Sequence, residues 1–163
     1  MDGSKIRVSN GSLLMPASHD YTTLANVDIT VENAILSAGG GVNWKDSQIR
    51  LLTDGFLLNR SNQMSLEGCT MEIDSSAQLN SDFSSVHLQN TSLTNRGNVF
   101  ISGWDEWSFT MQDGSVLNQG EFRLNINNQF RGTAVIENKG SLYCPASCSL
   151  DLSRITGNSP VRN

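Results

Sequence analysis

Leu88-Gln-Asn-Thr-Ser-Leu93 is followed 23 residues later by Met111-Gln-Asp-Gly-Ser-Val116. Both read apolar, polar, Asx, two small or variable positions, then apolar. The same unit occurs at Val8-Ser-Asn-Gly-Ser-Leu13, Val31-Glu-Asn-Ala-Ile-Leu36, Leu52-Thr-Asp-Gly-Phe-Leu57 and Leu66-Glu-Gly-Cys-Thr-Met71. With one extra residue it recurs at Ile136-Glu-Asn-Lys-Gly-Ser-Leu142. Its first residues are separated by 23, 21, 14, 22, 23 and 25. The step of 14 is irregular and marks either a short turn or a slip in register.

Two residues before most anchors stands another apolar residue: Ile6, Ile29, Met64, Val86, Phe109 or Ala134. Apolar-polar-apolar is the period of a half-buried strand. The column that follows is Asn10, Asn33, Asp54, Asn90, Asp113 and Asn138, with Gly68 in the remaining repeat. Asn, Asp and Gly share tolerance for left-handed backbone, so each repeat reads as strand, sharp bend, strand. A period of about 21 residues is too short for a strand, crossover helix and strand, but it suits one coil of a β-solenoid. The expected fold is an all-β, single-domain parallel β-helix of about seven coils, stacked about 4.8 Å apart. Residues 1–163 form one domain, with repeats over about 6–152 and a tail at 153–163. The Asx column is expected on one edge, passing side-chain hydrogen bonds from coil to coil. A β-sandwich with Asn-Gly turns also gives evenly spaced strands, but it does not require the same residue class at the same place in every turn.

Composition agrees. Among 163 residues there are 22 Ser and 17 Asn but only 3 Pro and 3 Lys, which disfavours a helical fold. The net charge of −5 has scattered signs, against a nucleic-acid or anionic-membrane partner. No apolar run approaches the roughly 18 residues of a membrane span, so no membrane insertion is expected.

This apolar-x-apolar-polar-Asn-x-x-apolar unit resembles the right-handed parallel β-helix of the pectin-lyase-like superfamily, from Ile6 to Leu152. The resemblance implies stacked Asn at a left-handed bend and says little about activity. Polysaccharide hydrolases of that superfamily carry Asn-Thr-Asp, Asp-Asp, Gly-His-Gly and Arg-Ile-Lys segments. None occurs here, and Ser153-Arg-Ile-Thr156 lacks the lysine. No catalytic residue is therefore assigned, and the protein is expected not to be an enzyme.

Other candidates are weaker. His19 sits in a loop; His87, between Val86 and Leu88, is expected to point outward as a solvated strand residue. The column before the Asx residues reads Ser9, Glu32, Thr53, Glu67, Gln89, Gln112 and Glu137. Its glutamines separate Glu67 from Glu137, which suits a hydrogen-bonded outer ladder better than an acid–base pair. Gly39-Gly-Gly-Val-Asn43 departs from calcium-binding nonapeptides, so no metal or cofactor is expected. Trp104, Asp105 and Glu106 form a candidate glycan contact, by ring stacking and carboxylate hydrogen bonds. The competing reading buries Trp107 in a strand with Phe109 and Met111. Cys144 and Cys148 suit either a small disulfide loop or free thiols, and Cys69 reads as a small turn or core residue.

These observations favour a non-catalytic structural or adhesive module of a secreted or cell-surface, matrix-like protein, its signal lying outside this chain. The alternatives are a carbohydrate-binding or carbohydrate-active β-helix and a cytoplasmic filament-forming solenoid. Expected partners are a glycan, or further coils added by end-to-end self-association or by a longer chain. Solenoid ends expose unpaired backbone, and the N-terminal coil, with five residues before Ile6, is expected to be the adhesive one.

Overall fold

The computed structural model describes residues 3–15, 22–38, 41–59, 63–82, 84–103, 109–124, 128–145 and 151–162, with the backbone alone at 128–130. The first coil consists of β1 (Ser4–Ser9), β2 (Ser12–Met15) and β3 (Thr22–Ala25), the second of β4 (Val27–Glu32), β5 (Ile35–Ala38) and β6 (Val42–Lys45). The third holds β7 (Gln48–Leu51), β8 (Phe56–Asn59) and β9 (Gln63–Glu67), the fourth β10 (Thr70–Ile73), β11 (Gln78–Asp82) and β12 (Ser85–Gln89). The fifth holds β13 (Ser92–Asn95), β14 (Asn98–Ser102) and β15 (Phe109–Gln112), the sixth β16 (Ser115–Asn118), β17 (Glu121–Leu124) and β18 (Asn128–Arg131). A partial coil of β19 (Val135–Asn138) and β20 (Ser141–Tyr143) follows, then the short β21 (Ile155–Thr156) and β22 (Val161–Arg162).

Like strands stack into three sheets of eight, eight and six strands, ordered β1-β4-β7-β10-β13-β16-β19-β21, β2-β5-β8-β11-β14-β17-β20-β22 and β3-β6-β9-β12-β15-β18. Every described pairing is parallel. The chain is thus a parallel β-solenoid of about six complete turns. Alternate residues point inward and stack in register. In the first sheet Ile6, Ile29, Ile49, Met71, Leu93, Val116 and Ile136 form one such file. Trp44, Phe109 and Phe122 are fully buried within the resulting core. No helix among the described residues is long and apolar enough to cross a membrane.

The Asx column is where the structure corrects the sequence reading: it divides between two corners. Asn10, Asn33 and Asp54 lie between the first and second sheets, with φ of 53°, 48° and 50°. Asn90 and Asp113 lie between the third and first sheets, at 48° and 50°, in a series that also holds Asn26, Asp46, Gly68 and Gly132. The step of 14 is the passage from one series to the other. Leu52 lies just beyond β7 in the first sheet, whereas Leu66 belongs to β9 in the third. The third-to-first corner passes through left-handed backbone in all six coils, whereas the first-to-second corner does so at Asn10, Asn33, Asp54 and Gly157; each of these places selects Asn, Asp or Gly. At the third-to-first corner the bend residue donates its N–H to the coil above, as from Asp46 to the carbonyl of Glu67 (2.8 Å) and from Asn90 to that of Gln112 (2.9 Å). Gly68 has a further reason to be glycine, because a Cβ there would sit 2.5 Å from Asp46 Oδ1.

Asn138 belongs to neither corner. It closes an inward file that reads Val8, Val31, Leu51, Ile73, Asn95, Asn118, Asn138. This file changes from aliphatic to carboxamide half-way along the rod. Asn95 Nδ2 donates to Asn118 Oδ1 (2.8 Å), and Asn118 Nδ2 donates to Asn138 Oδ1 (2.7 Å). The same amides donate to the carbonyls of Glu121 (2.9 Å) and Ser141 (3.0 Å), clamping the corner into the second sheet. The expected asparagine ladder exists, but it is internal and shares only Asn138 with the expected column.

Connections differ in length by corner. From the third sheet to the first they take one to three residues and from the first to the second mostly two. From the second sheet to the third they take up to six, as after β2 and β14.

Candidate functional site

The outward face of the third sheet carries a groove of about 320 Å³. Strand alternation builds it. Leu66 and Leu88 turn inward, so the residues beside them turn outward and stack across coils. One outward row is Asn43, Ser65, His87 and Thr110, and the neighbouring row is Lys45, Glu67, Gln89 and Gln112. Gln63 adds a further amide at the rim, donating to Ser65 Oγ at 2.7 Å.

His87 points outward as expected, but it is half-buried rather than solvated. Its Nδ1 is hydrogen-bonded to Thr110 Oγ1. Burial lowers its pKa below 6.5, because the imidazolium loses hydration. A histidine whose folded pKa is depressed adds stability fully above its unfolded value, and that contribution is lost as pH falls through the folded pKa. Between pH 7 and 5 the denaturation midpoint of the wild type should therefore fall more steeply than that of His87→Gln. Parallel pH profiles for the two proteins would show that His87 titrates as an exposed group.

Glu67 stacks on Gln89 and forms an ion pair with Lys45 at 3.1 Å, on a partly exposed surface. That hydrogen bond and the carboxylate charge raise the Lys45 pKa. Glu67, Gln89 and Gln112 stand in register as an outer row, whereas Ser9, Glu32 and Glu137 lie on the first sheet and Thr53 at its corner with the second. No His, Cys, Asp or Glu trio that could hold a metal ion occurs among the described residues.

Trp104, Asp105, Glu106 and Trp107 lie outside the described residues, as do His19 and Cys148. The Trp segment connects β14 to β15. Cys144 is disulfide-bonded. Cys69 is a free, buried thiol, donating to the carbonyls of Trp44 (3.3 Å) and Glu67 (3.4 Å). It occupies the position after the bend that Ser47 and Thr91 fill in adjacent coils, and burial pushes its pKa up. It is a core residue, as expected.

Sequence reasoning missed two elements. The groove escaped because each lining residue is an ordinary polar strand residue, and only the coil register brings them together. The internal ladder left a readable signal: apolar-x-Asn-x-Gly occurs at Leu93–Gly97, Val116–Gly120 and Ile136–Gly140.

The chain matches no family model, curated protein or solved structure. No match supports membership of the pectin-lyase-like superfamily; the fold is a parallel β-solenoid.

Proposed function

We propose that this chain is a non-catalytic structural or adhesive module, a short rod whose third-sheet groove is its contact surface. The chemistry of the groove carries this reading. Glu67 is paired with Lys45 and stacked on an amide rather than on a second acid, and His87 is tied to Thr110. Such a surface offers hydrogen bonds without pairing two carboxylates for proton transfer. The Cys144 disulfide fits an oxidising compartment, which supports a secreted or cell-surface setting over a cytoplasmic filament.

A second reading, carbohydrate binding, is favoured by the amides of Asn43, Gln63, Gln89 and Gln112, which suit the hydroxyls of a neutral glycan. A glycan panel separates the two readings. Binding that is lost in Gln89→Ala, with the denaturation midpoint kept, would make the groove a glycan site. Reproducible release of reducing or unsaturated ends from any polysaccharide would overturn the non-catalytic assignment.

A further inference from the structure

The outward face of the first sheet alternates in charge from coil to coil. The first strand presents Lys5 and Arg7, the second Asp28 and Glu32, the third Arg50, and the fourth Glu72. The alternation is realised in contacts: Arg7 pairs with Glu32 at 2.7 Å, and Arg50 with Asp28 at 3.6 Å. Glu72 stands in register with Arg50. Cationic β1 is therefore bordered by acidic β4 on one side, while no described strand borders its other side. The interior is also less covered at this end. Leu13 is 39% exposed, although its register partner Leu36 is at 1%. At the opposite end, β21 and β22 and the Leu152–Arg154 turn lie over the last coil, with Ile155 and Val161 packed on the core.

We propose that the outer edge of β1 accepts an extended segment of another molecule in which apolar residues alternate with carboxylates. Its backbone would satisfy the unpaired N–H and C=O groups of β1, adding a strand to the first sheet. Its apolar side chains would extend the interior file over Ile6 and Val8, and its carboxylates would meet Lys5 and Arg7. The molecule contains its own template: β4, Val-Asp-Ile-Thr-Val-Glu, has this alternation and occupies the same place on the other side of β1. A second copy fits less well. Pairing β1 with itself sets Lys5 and Arg7 against like charges, and β21 offers only two residues. This edge is distinct from the third-sheet groove, so the proposal fails or stands independently of the glycan test.

The test is fluorescence anisotropy of a labelled Val-Asp-Ile-Thr-Val-Glu peptide with the full chain, beside a peptide carrying Lys in place of both acids. The acidic peptide should bind saturably and weaken with added salt. The double variant Lys5→Glu, Arg7→Glu should bind it about tenfold more weakly and prefer the lysine peptide. Should that variant fail to fold, the salt dependence in the wild type still decides. Equal binding of both peptides, no saturable binding by about 1 mM, or self-association that the acidic peptide does not displace would each overturn the proposal.

Discussion

Phe109→Ala is expected to destabilise the solenoid by about 3–5 kcal/mol, the cost of emptying an aromatic site in a core that cannot collapse around it. Phe109 is fully buried on the third sheet, and its ring meets that of Phe122, on the second sheet, edge to face at 5.7 Å and 71°. The pair thus joins two of the three walls across the interior, in a geometry that adds to simple burial. The backbone has little freedom to close the gap, because β15 is held in register by β12 and β18 on either side. Chemical denaturation reads the effect as a lowered midpoint. Phe109→Leu, which keeps most of the volume, should cost under about 1.5 kcal/mol. A midpoint unmoved by Phe109→Ala would show that the third-sheet file has been assigned the wrong face.

The second large effect is expected from Asn118→Leu, at about 2–4 kcal/mol. The two side chains share the same branched skeleton, although leucine is bulkier, so shape alone predicts a modest change. The chemistry predicts much more. Leucine at 118 would leave Asn138 Oδ1 and the Ser141 carbonyl without their donor, and Asn95 Nδ2 with one acceptor in place of two. Replacing all three asparagines by leucine should not restore stability, because the carbonyls of Glu121 and Ser141 would still lose their partners. A midpoint equal to that of the wild type would make the ladder incidental.

The repeat could be read from the sequence because stacking forces the same residue class into the same place in every coil. Ile6, Ile29 and Phe109 obeyed that rule and lie inside. What failed was the assumption that one residue class marks one corner. Asn33 and Asn90 bend the chain in the same way at different edges, since left-handed backbone depends on the side chain's tolerance and not on which sheets meet there. Asn138 misled in the opposite direction. It reads as a bend residue beside the others, yet its carboxamide points inward, where its Oδ1 accepts from Asn118 and its Nδ2 donates to the Ser159 carbonyl, so that its burial is satisfied. The groove around His87 could not have been read from local pattern at all, because Ser65, His87 and Thr110 become neighbours only through the coil register.

The unequal corners bear on where this architecture can change. The third-to-first edge is a tight bend of one to three residues with Asn, Asp or Gly in left-handed backbone, and the first-to-second edge takes two to four residues. The third edge, between the second and third sheets, already spans two to six residues without altering the register of the coils above or below. Lengthening a flexible connection costs only about 0.6 kcal/mol per doubling. New sequence can therefore enter one coil at that edge while its neighbours keep their pairing. The rod presents these connections in a row, so variation for recognition is separated spatially from the positions that secure folding. Grafted segments of different length placed after β2, β5 and β8 would occupy successive levels of a single ruled edge.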